Sequence, residues 1–418
     1  MIKKAGKSLL SKILEAQVKA LLRRNEVKVV AVAGSVGKTS TKIAVATVLG
    51  ESMRVRYQDG NYNDRLTVPL IFFDRQEPSI FDILAWVRLL ISNFRVIKKP
   101  YPFDVVVVEL GTDAPGQMRR FRYLRPDLLI LTAIAPEHME NFNDLEAVAK
   151  EELSMNAAAK TVLINRDDCE DDYVNGFDHL SYGLNSASDY GLKGLVLKGI
   201  AGSKATMLWP DGMVRDIDIR LAGRQGAKIC LAAGACADMI GMDRQAAFKA
   251  MSSLKPVSGR MNRLEGVNDC IIIDDTYNSS PSAATAALDV LYATKGTKRI
   301  ALLGSMNELG AFSRQAHESV GSYCDPRKVD LVITLGKEAN EFLAPAAQAR
   351  GCEVVSFDDP KVVGEYLRPR LDKHTVLLAK GSQNGVYAEE ALKPLLKQRS
   401  DVSKLVRQSA YWLSKKES

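Results

Sequence analysis

Seven consecutive residues, Gly34-Ser35-Val36-Gly37-Lys38-Thr39-Ser40, stand between a β-branched run, Val27–Ala33, and a helical stretch from Thr39 to about Leu49. Glycines let backbone amides curl around phosphate oxygens, and a helix amino terminus adds positive potential. In such a loop Lys38 neutralises the β and γ phosphates and Thr39 offers its hydroxyl to Mg²⁺. The full phosphate-loop pattern asks for a glycine where this chain has Val32. The strand–loop–helix context is the required one, so phosphate binding is expected, with a structural glycine turn as the alternative. Two more candidates stand at strand ends. Glu109 closes the run Asp104–Leu110, and His138 follows the run Leu128–Ile134. Ligands bind at the carboxyl edge of open α/β sheets. Glu109 is expected to hold Mg²⁺ or position water there, the alternative being a carboxylate that meets solvent. His138 joins the same cluster or is a structural histidine.

Elements must bring these residues together. The runs at 27–33, 104–110, 128–134 and 161–165 are continuously apolar, as strands buried on both faces of a parallel sheet are. From about Gly183 to Leu221 short alternating pieces with glycines predict an antiparallel patch. An alanine-rich helical block runs from Ala227 to Met251, and Lys255-Pro256-Val257-Ser258-Gly259 reads as a linker. A second series of strands is predicted at Cys270–Asp274, Arg299–Leu303, Leu331–Leu335, Glu353–Phe357 and Thr375–Ala379. After Lys397 the residues Val402, Leu405, Val406, Ser409 and Trp412 have helical spacing, which predicts a peripheral helix.

The length of 418 residues allows two or three domains. With 46% hydrophobic and 26% charged residues, a disordered chain, a collagen-like chain and a disulfide-stapled miniprotein are excluded. The formal charge is +7, and the first 28 residues alone carry a net +6. A nucleic-acid-coating surface is therefore not expected, because the basic charge is local and lacks interleaved aromatics. Six scattered cysteines without a C-x-x-C pair read as buried free thiols in a reducing cytoplasm. The basic start, Met1–Arg24, places Leu9, Leu10, Ile13, Leu14, Val18, Leu21 and Leu22 on one helical face. It packs on the following domain or meets a membrane surface or partner. The segment Pro78–Pro102, apolar and then basic, has the same two readings.

The strings GSVGKTSTK (34–42), NYNDRLTVPL (61–70), VVVVELGTDAPG (105–116), TAIAPEHMENF (132–142), SGRMNRLEG (258–266), IIDDTYNSSPSA (272–283), LLGSMNELG (302–310) and AKGSQN (379–384) occur in this order. Together they resemble the Mur ligases, the ATP-dependent amide ligases of peptidoglycan precursor synthesis. DDTYN followed by a proline, with MNELG downstream, is most similar to the MurF type, which adds D-alanyl-D-alanine to a UDP-N-acetylmuramoyl tripeptide. The resemblance implies an α/β fold: a P-loop central domain with a mostly parallel sheet, plus a Rossmann-like C-terminal α/β domain. It divides the chain into a basic helix (1–25), an ATP-binding domain (26–258), a C-terminal ligase domain (259–398) and a helical tail (399–418). It implies ATP and Mg²⁺ as cofactors, a UDP-muramoyl peptide and a dipeptide as substrates, no nucleic acid, and a cytoplasmic location. Runners-up are another amide ligase of the superfamily, such as a folylpolyglutamate-synthase-like enzyme, and a nucleotide-binding regulatory subunit.

By position, the resemblance assigns Gly34, Ser35, Val36, Gly37, Lys38, Thr39 and Ser40 to the ATP phosphates, and Thr39, Glu109 and His138 to magnesium. Asn61 and Asn63 fall on an asparagine motif near phosphates and acceptor. Arg260 reaches the nucleotide phosphates, Asp275 holds the ribose hydroxyls and Asn278 lies beside the nucleotide. Ser313 and His317, one turn apart, resemble a pair near the substrate, and Lys380 and Ser382 belong to a loop that meets the dipeptide.

Three departures from the family pattern stand out. Glu152 falls where many Mur ligases have a carbamylated lysine, and its carboxylate is expected to supply that charge to a second Mg²⁺ directly. The adenine-side motif, a histidine and two asparagines in the family, reads Gly223-Arg224-Gln225-Gly226-Ala227-Lys228-Ile229, which predicts weak selectivity for adenine. Only the basic helix precedes the phosphate loop where the family has a UDP-sugar domain, so the acceptor is expected to be held by a partner, by the 78–102 segment or at a membrane.

Overall fold

The computed structural model describes residues 2–60, 62–136, 139–185 and 187–417. Asn61 and His138 lie outside the described residues. The first sheet is built from β1 (Lys28–Ala33), β2 (Val55–Arg56), β3 (Val105–Glu109), β4 (Leu128–Leu131), β5 (Thr161–Asn165), β6 (Leu180–Gly183), β7 (Tyr190–Leu197), β8 (Ser203–Leu208) and β9 (Val214–Ile219). Their order is β2-β3-β1-β4-β5-β6-β7-β8-β9. Pairing is parallel as far as β7 and antiparallel across β7, β8 and β9. The antiparallel part is the patch the glycines of 183–221 predict.

Strand alternation sends side chains to both faces. From β1, Val30 and Val32 enter one core with Val45 and Leu49 of the Lys38–Leu49 helix and Ala233 of the Gly223–Ile240 helix. Val29, Ala31 and Ala33 enter the other core, with Val18 and Leu21 of the Ile2–Arg24 helix. The amino-terminal helix thus packs on the sheet. Chain order reverses on either side of β1, so the crevice at its carboxyl end opens between β3 and β4.

The second sheet holds β10 (Asn262–Glu265), β11 (Ile271–Asp275), β12 (Lys298–Gly304), β13 (Leu331–Leu335), β14 (Val354–Phe357) and β15 (Thr375–Lys380). Its order is β10-β11-β15-β12-β13-β14, parallel except for the β10 edge. β10 was not expected, because its four residues, Asn262-Arg263-Leu264-Glu265, carry one buried apolar side chain.

Three further expectations change. The Ala227–Met251 block is two helices, Gly223–Ile240 and Arg244–Ser253. Gly241, at φ 86°, ends the first, and the Asp243 carboxylate caps the second by accepting from Ala246 N–H. The strand after residue 128 stops at Leu131, because Thr132–Ala135 turns onto the phosphate loop. The tail is not one peripheral helix. A 3₁₀ segment, Arg399–Lys404, leads to buried Leu405 and Val406, Arg407 turns at φ 55°, and a short helix runs over Ala410–Glu417. All six cysteines are buried and free. No helix among the described residues is long and apolar enough to cross a membrane.

Candidate active site

The loop after β1 is a glycine loop by steric necessity. Gly34 has φ 116°, and a Cβ there would lie 2.5 Å from Thr132 Oγ1 and 2.8 Å from Ala133 N. Gly37, at φ 89°, starts the Lys38–Leu49 helix. Neighbouring chain pins the loop: Ser35 N–H donates to Ala133 O at 2.9 Å, and Ala135 N–H to Ser35 Oγ at 3.0 Å. The Lys38 ammonium donates to Gly34 O at 2.6 Å and Ser35 O at 3.1 Å. Residues Ser35–Ser40 face a cleft of about 500 Å³.

Glu109 is in register with Val32 and reaches the same cleft from the end of β3. It is 1% exposed. Its Oε1 accepts from Thr39 Oγ1 at 3.2 Å and from Asn63 Nδ2 at 3.4 Å. Among the described residues its Oε2 accepts no hydrogen bond, although the Lys42 ammonium lies 3.3 Å away. Lys42 is wholly buried and donates to Gly60 O at 2.6 Å. Burial pulls its pKa below the usual lysine range, and Glu109 opposes that shift. Lys42 was missed by sequence reasoning. The signal was its place one helical turn after Lys38, on the same face. Magnesium prefers hard oxygen donors and keeps several waters. The Thr39 hydroxyl and the buried Glu109 Oε2 fit that preference.

The facing wall comes from the second sheet. Asp275 and Lys380 are in register at the ends of β11 and β15. The Lys380 ammonium donates to Asp275 Oδ2 at 2.6 Å and to Asn278 O at 3.0 Å, and Met261 N–H donates to Asp275 Oδ1 at 3.1 Å. The Arg260 guanidinium stacks 4.1 Å from the Tyr277 ring centroid, and its buried Nε has no hydrogen-bond partner among the described residues. Asn278 also faces the cleft. Beside them Asp274 is fully buried, which pushes its carboxyl up to about 6. Gly223–Gly226, Ile229 and Val290 also line the cleft.

Other expected residues sit behind these walls. Ser382 Oγ accepts from Asn307 N–H at 3.0 Å and donates to Ser279 O at 3.3 Å. His317 Nε2 accepts from Met306 N–H at 2.9 Å, and Nδ1 lies 2.8 Å from Ser313 O. Both ring nitrogens are therefore engaged in holding the 305–309 turn, and burial lowers the histidine pKa. Glu152 Oε2 accepts from Gly34 N–H at 2.8 Å, so it supports the loop from outside the cleft wall.

A family model for the Mur ligase middle domain matches residues 91–237, and one for the Mur ligase glutamate ligase domain matches 259–383. The chain belongs to the Mur ligase family. It is 28% identical over 391 residues to the UDP-N-acetylmuramoyl-tripeptide–D-alanyl-D-alanine ligase of Bacillus subtilis, covering 92% of this chain and 79% of that one. The Escherichia coli protein of the same name is 28% identical over 378 residues, covering 87% and 75%. Among solved structures, MurF from Acinetobacter baumannii has a TM-score of 0.77 at 20% identity over 94% of this chain and 81% of that one. MurF ligase from Thermotoga maritima in complex with ADP has 0.75 at 23% identity, over 95% and 84%. In this Mur ligase the tail beyond the matched residues also contacts the Asp275–Asn278 turn. Arg407 of the tail donates to Thr276 O at 2.6 Å and Tyr277 O at 2.9 Å, the turn between Asp275 and Asn278. The same guanidinium forks onto Glu389, which is wholly buried.

Proposed function

We propose that this Mur ligase is an ADP-forming carboxylate–amine ligase that adds D-alanyl-D-alanine to a UDP-N-acetylmuramoyl tripeptide in the cytoplasm. The carrying observation is the single cleft in which the phosphate loop and Glu109 of the first sheet face Arg260, Asp275 and Lys380 of the second. A carboxylate is a poor electrophile. Transfer of the γ-phosphoryl group to it gives an acyl phosphate, the amine attacks the carbonyl carbon, and phosphate leaves with the amide bond formed. Little covalent work falls to the protein, so positioning and charge neutralisation dominate. Lys38 and Arg260 offset phosphate charge from opposite walls. Asp275, oriented by Lys380 and the Met261 amide, receives the ribose, and Asn278 flanks the nucleotide. Lys380 and Ser382 hold the loop that meets the dipeptide, while Ser313 and His317 position the 305–309 turn. Asn63 orients Glu109 toward the acceptor side, and Asn61 and His138 complete the set by family position. Thr39 and Glu109 would hold magnesium, which would supply polarisation of the phosphoryl oxygens. The ATP-binding domain is 26–258 and the amine-side domain 259–398. Closure of one on the other excludes water. The replacement of the family's histidine and two asparagines by Gly223–Ile229 supports weak base selectivity.

By family position Glu152 would supply a second-magnesium carboxylate in place of a carbamylated lysine, although its Oε2 takes the Gly34 amide and it does not line the cleft. Glu152→Ala is expected to raise the magnesium needed for half-maximal rate by about 10–100-fold, with added bicarbonate having no effect in either protein. Activity and magnesium dependence left unchanged in the variant would remove Glu152 from this role. The function itself is tested by release of ADP from ATP or of GDP from GTP. Release that needs both the acceptor and the dipeptide, with GTP accepted, is expected. Turnover indifferent to either substrate would mark a regulatory nucleotidase.

A further inference from the structure

The helix Ile83–Ile97 is apolar on two opposite sides. Its inner side, Trp86, Leu89, Asn93 and Ile97, is buried. Trp86 and Leu89 pack with Leu14 of the amino-terminal helix, and Asn93 donates to Gln17 Oε1 at 2.8 Å. The outer side carries Ile83, Leu84, Val87, Ile91 and Phe94, which are 73%, 68%, 46%, 51% and 53% exposed. At about 100° per residue these five fall within one arc roughly 100° wide. Arg88 and Arg95 lie along one edge of that arc, and Lys98 and Lys99 follow at the helix end, all four exposed. None of the four is paired with a carboxylate among the described residues. Between Ile83 and Phe103 the sequence contains no Asp or Glu. The adjoining amino-terminal helix adds exposed Leu9, Lys7 and Lys12.

Contiguous exposed apolar surface of this kind marks an interaction site. Charge selects the occupant. A second copy meeting this face would set its four cations against four like charges with no acid to offset them. The apolar side chains stand about half to three-quarters exposed, which suits a deformable apolar phase. The helix is too short and too cationic to span a bilayer. We propose that the Ile83–Ile97 helix docks the protein on an anionic lipid surface, with Leu84, Val87, Ile91 and Phe94 in the headgroup–acyl boundary and Arg88, Arg95, Lys98 and Lys99 at lipid phosphates. This surface is separate from the nucleotide cleft and does not depend on the ligase reading.

Vesicle flotation of the full chain tests it. The protein is expected to float with vesicles of phosphatidylcholine mixed with phosphatidylglycerol, to stay behind with phosphatidylcholine alone, and to be released by salt. The double variant Ile91→Glu, Phe94→Glu loses flotation, and so does Arg88→Glu, Arg95→Glu. These residues are exposed and lie away from the cleft, so both variants keep the wild-type unfolding midpoint and ATP affinity. Failure of the wild type to float with the anionic vesicles overturns the proposal. So does flotation of the apolar variant at the wild-type level, or a wild-type dimer in sedimentation that the same double variant abolishes.

Discussion

Glu109→Gln is expected to lower kcat by about 10²–10³-fold, the range seen when one preorganised electrostatic group is removed from a reacting centre. The amide keeps the shape of the carboxyl and can still accept from Thr39 Oγ1. What it loses is the negative charge next to a buried ammonium, 3.3 Å away. Lys42 then has burial and Arg260 lowering its pKa with only Asp59 still opposing them, so its pKa is expected to fall further. The oxygen that would face magnesium is also gone, so the magnesium requirement rises with the fall in kcat. Steady-state rates across a magnesium titration, alongside thermal unfolding, separate the two contributions. A variant that is merely less stable, with kcat intact for the folded fraction, would make Glu109 structural.

The second large effect is expected at the tail. Arg407→Met removes a guanidinium whose side chain is 4% exposed and which holds a fully buried carboxylate and two backbone carbonyls. Breaking a buried pair by deleting one partner costs about 3–5 kcal/mol, because the other charge is left uncompensated. Glu389 retains Lys416 at 2.8 Å, which places the expected loss toward the lower end of that range. The Thr276–Tyr277 turn loses both of its carbonyl anchors. Tyr277 carries the Arg260 guanidinium, and Asp275 and Asn278 flank the turn. KM for ATP is therefore expected to rise by roughly tenfold or more, since small misplacements of positioning groups are expensive. Arg407→Lys does not restore it, because one ammonium cannot make the forked contact. Denaturant unfolding and ATP titration check the two parts. An unchanged KM in a protein that unfolds earlier would confine Arg407 to stability.

What could be read from the sequence follows from how locally each feature is encoded. The phosphate loop needs contiguous glycines, a lysine and a hydroxyl, so Gly34–Ser40 was legible at once. Strand ends such as Glu109 were legible because an uninterrupted apolar run announces where a carboxyl edge must be. His317 was legible as a residue of interest but not as a support for the 305–309 turn. Its Ser313 partner, whose Oγ lies 3.2 Å from Nδ1, is marked by the one-turn spacing, but the Met306 amide that meets Nε2 is a backbone group that carries no sequence signal. Lys42 was hidden because helical spacing marks a face without saying what lies opposite. The tail was misread for a related reason. Val402, Leu405 and Val406 are apolar because they cover the second core, and their spacing mimics a helix in a segment that Arg407 ties down irregularly.

The most direct measurement is the mass spectrum of the product. The chain is incubated with ATP, Mg²⁺, UDP-N-acetylmuramoyl tripeptide and D-alanyl-D-alanine. The predicted result is the pentapeptide, the sum of acceptor and dipeptide less one water, formed in step with ADP and phosphate and absent when any one reactant is left out. ADP formed without any amide product, at a rate the acceptor and dipeptide do not change, would contradict it.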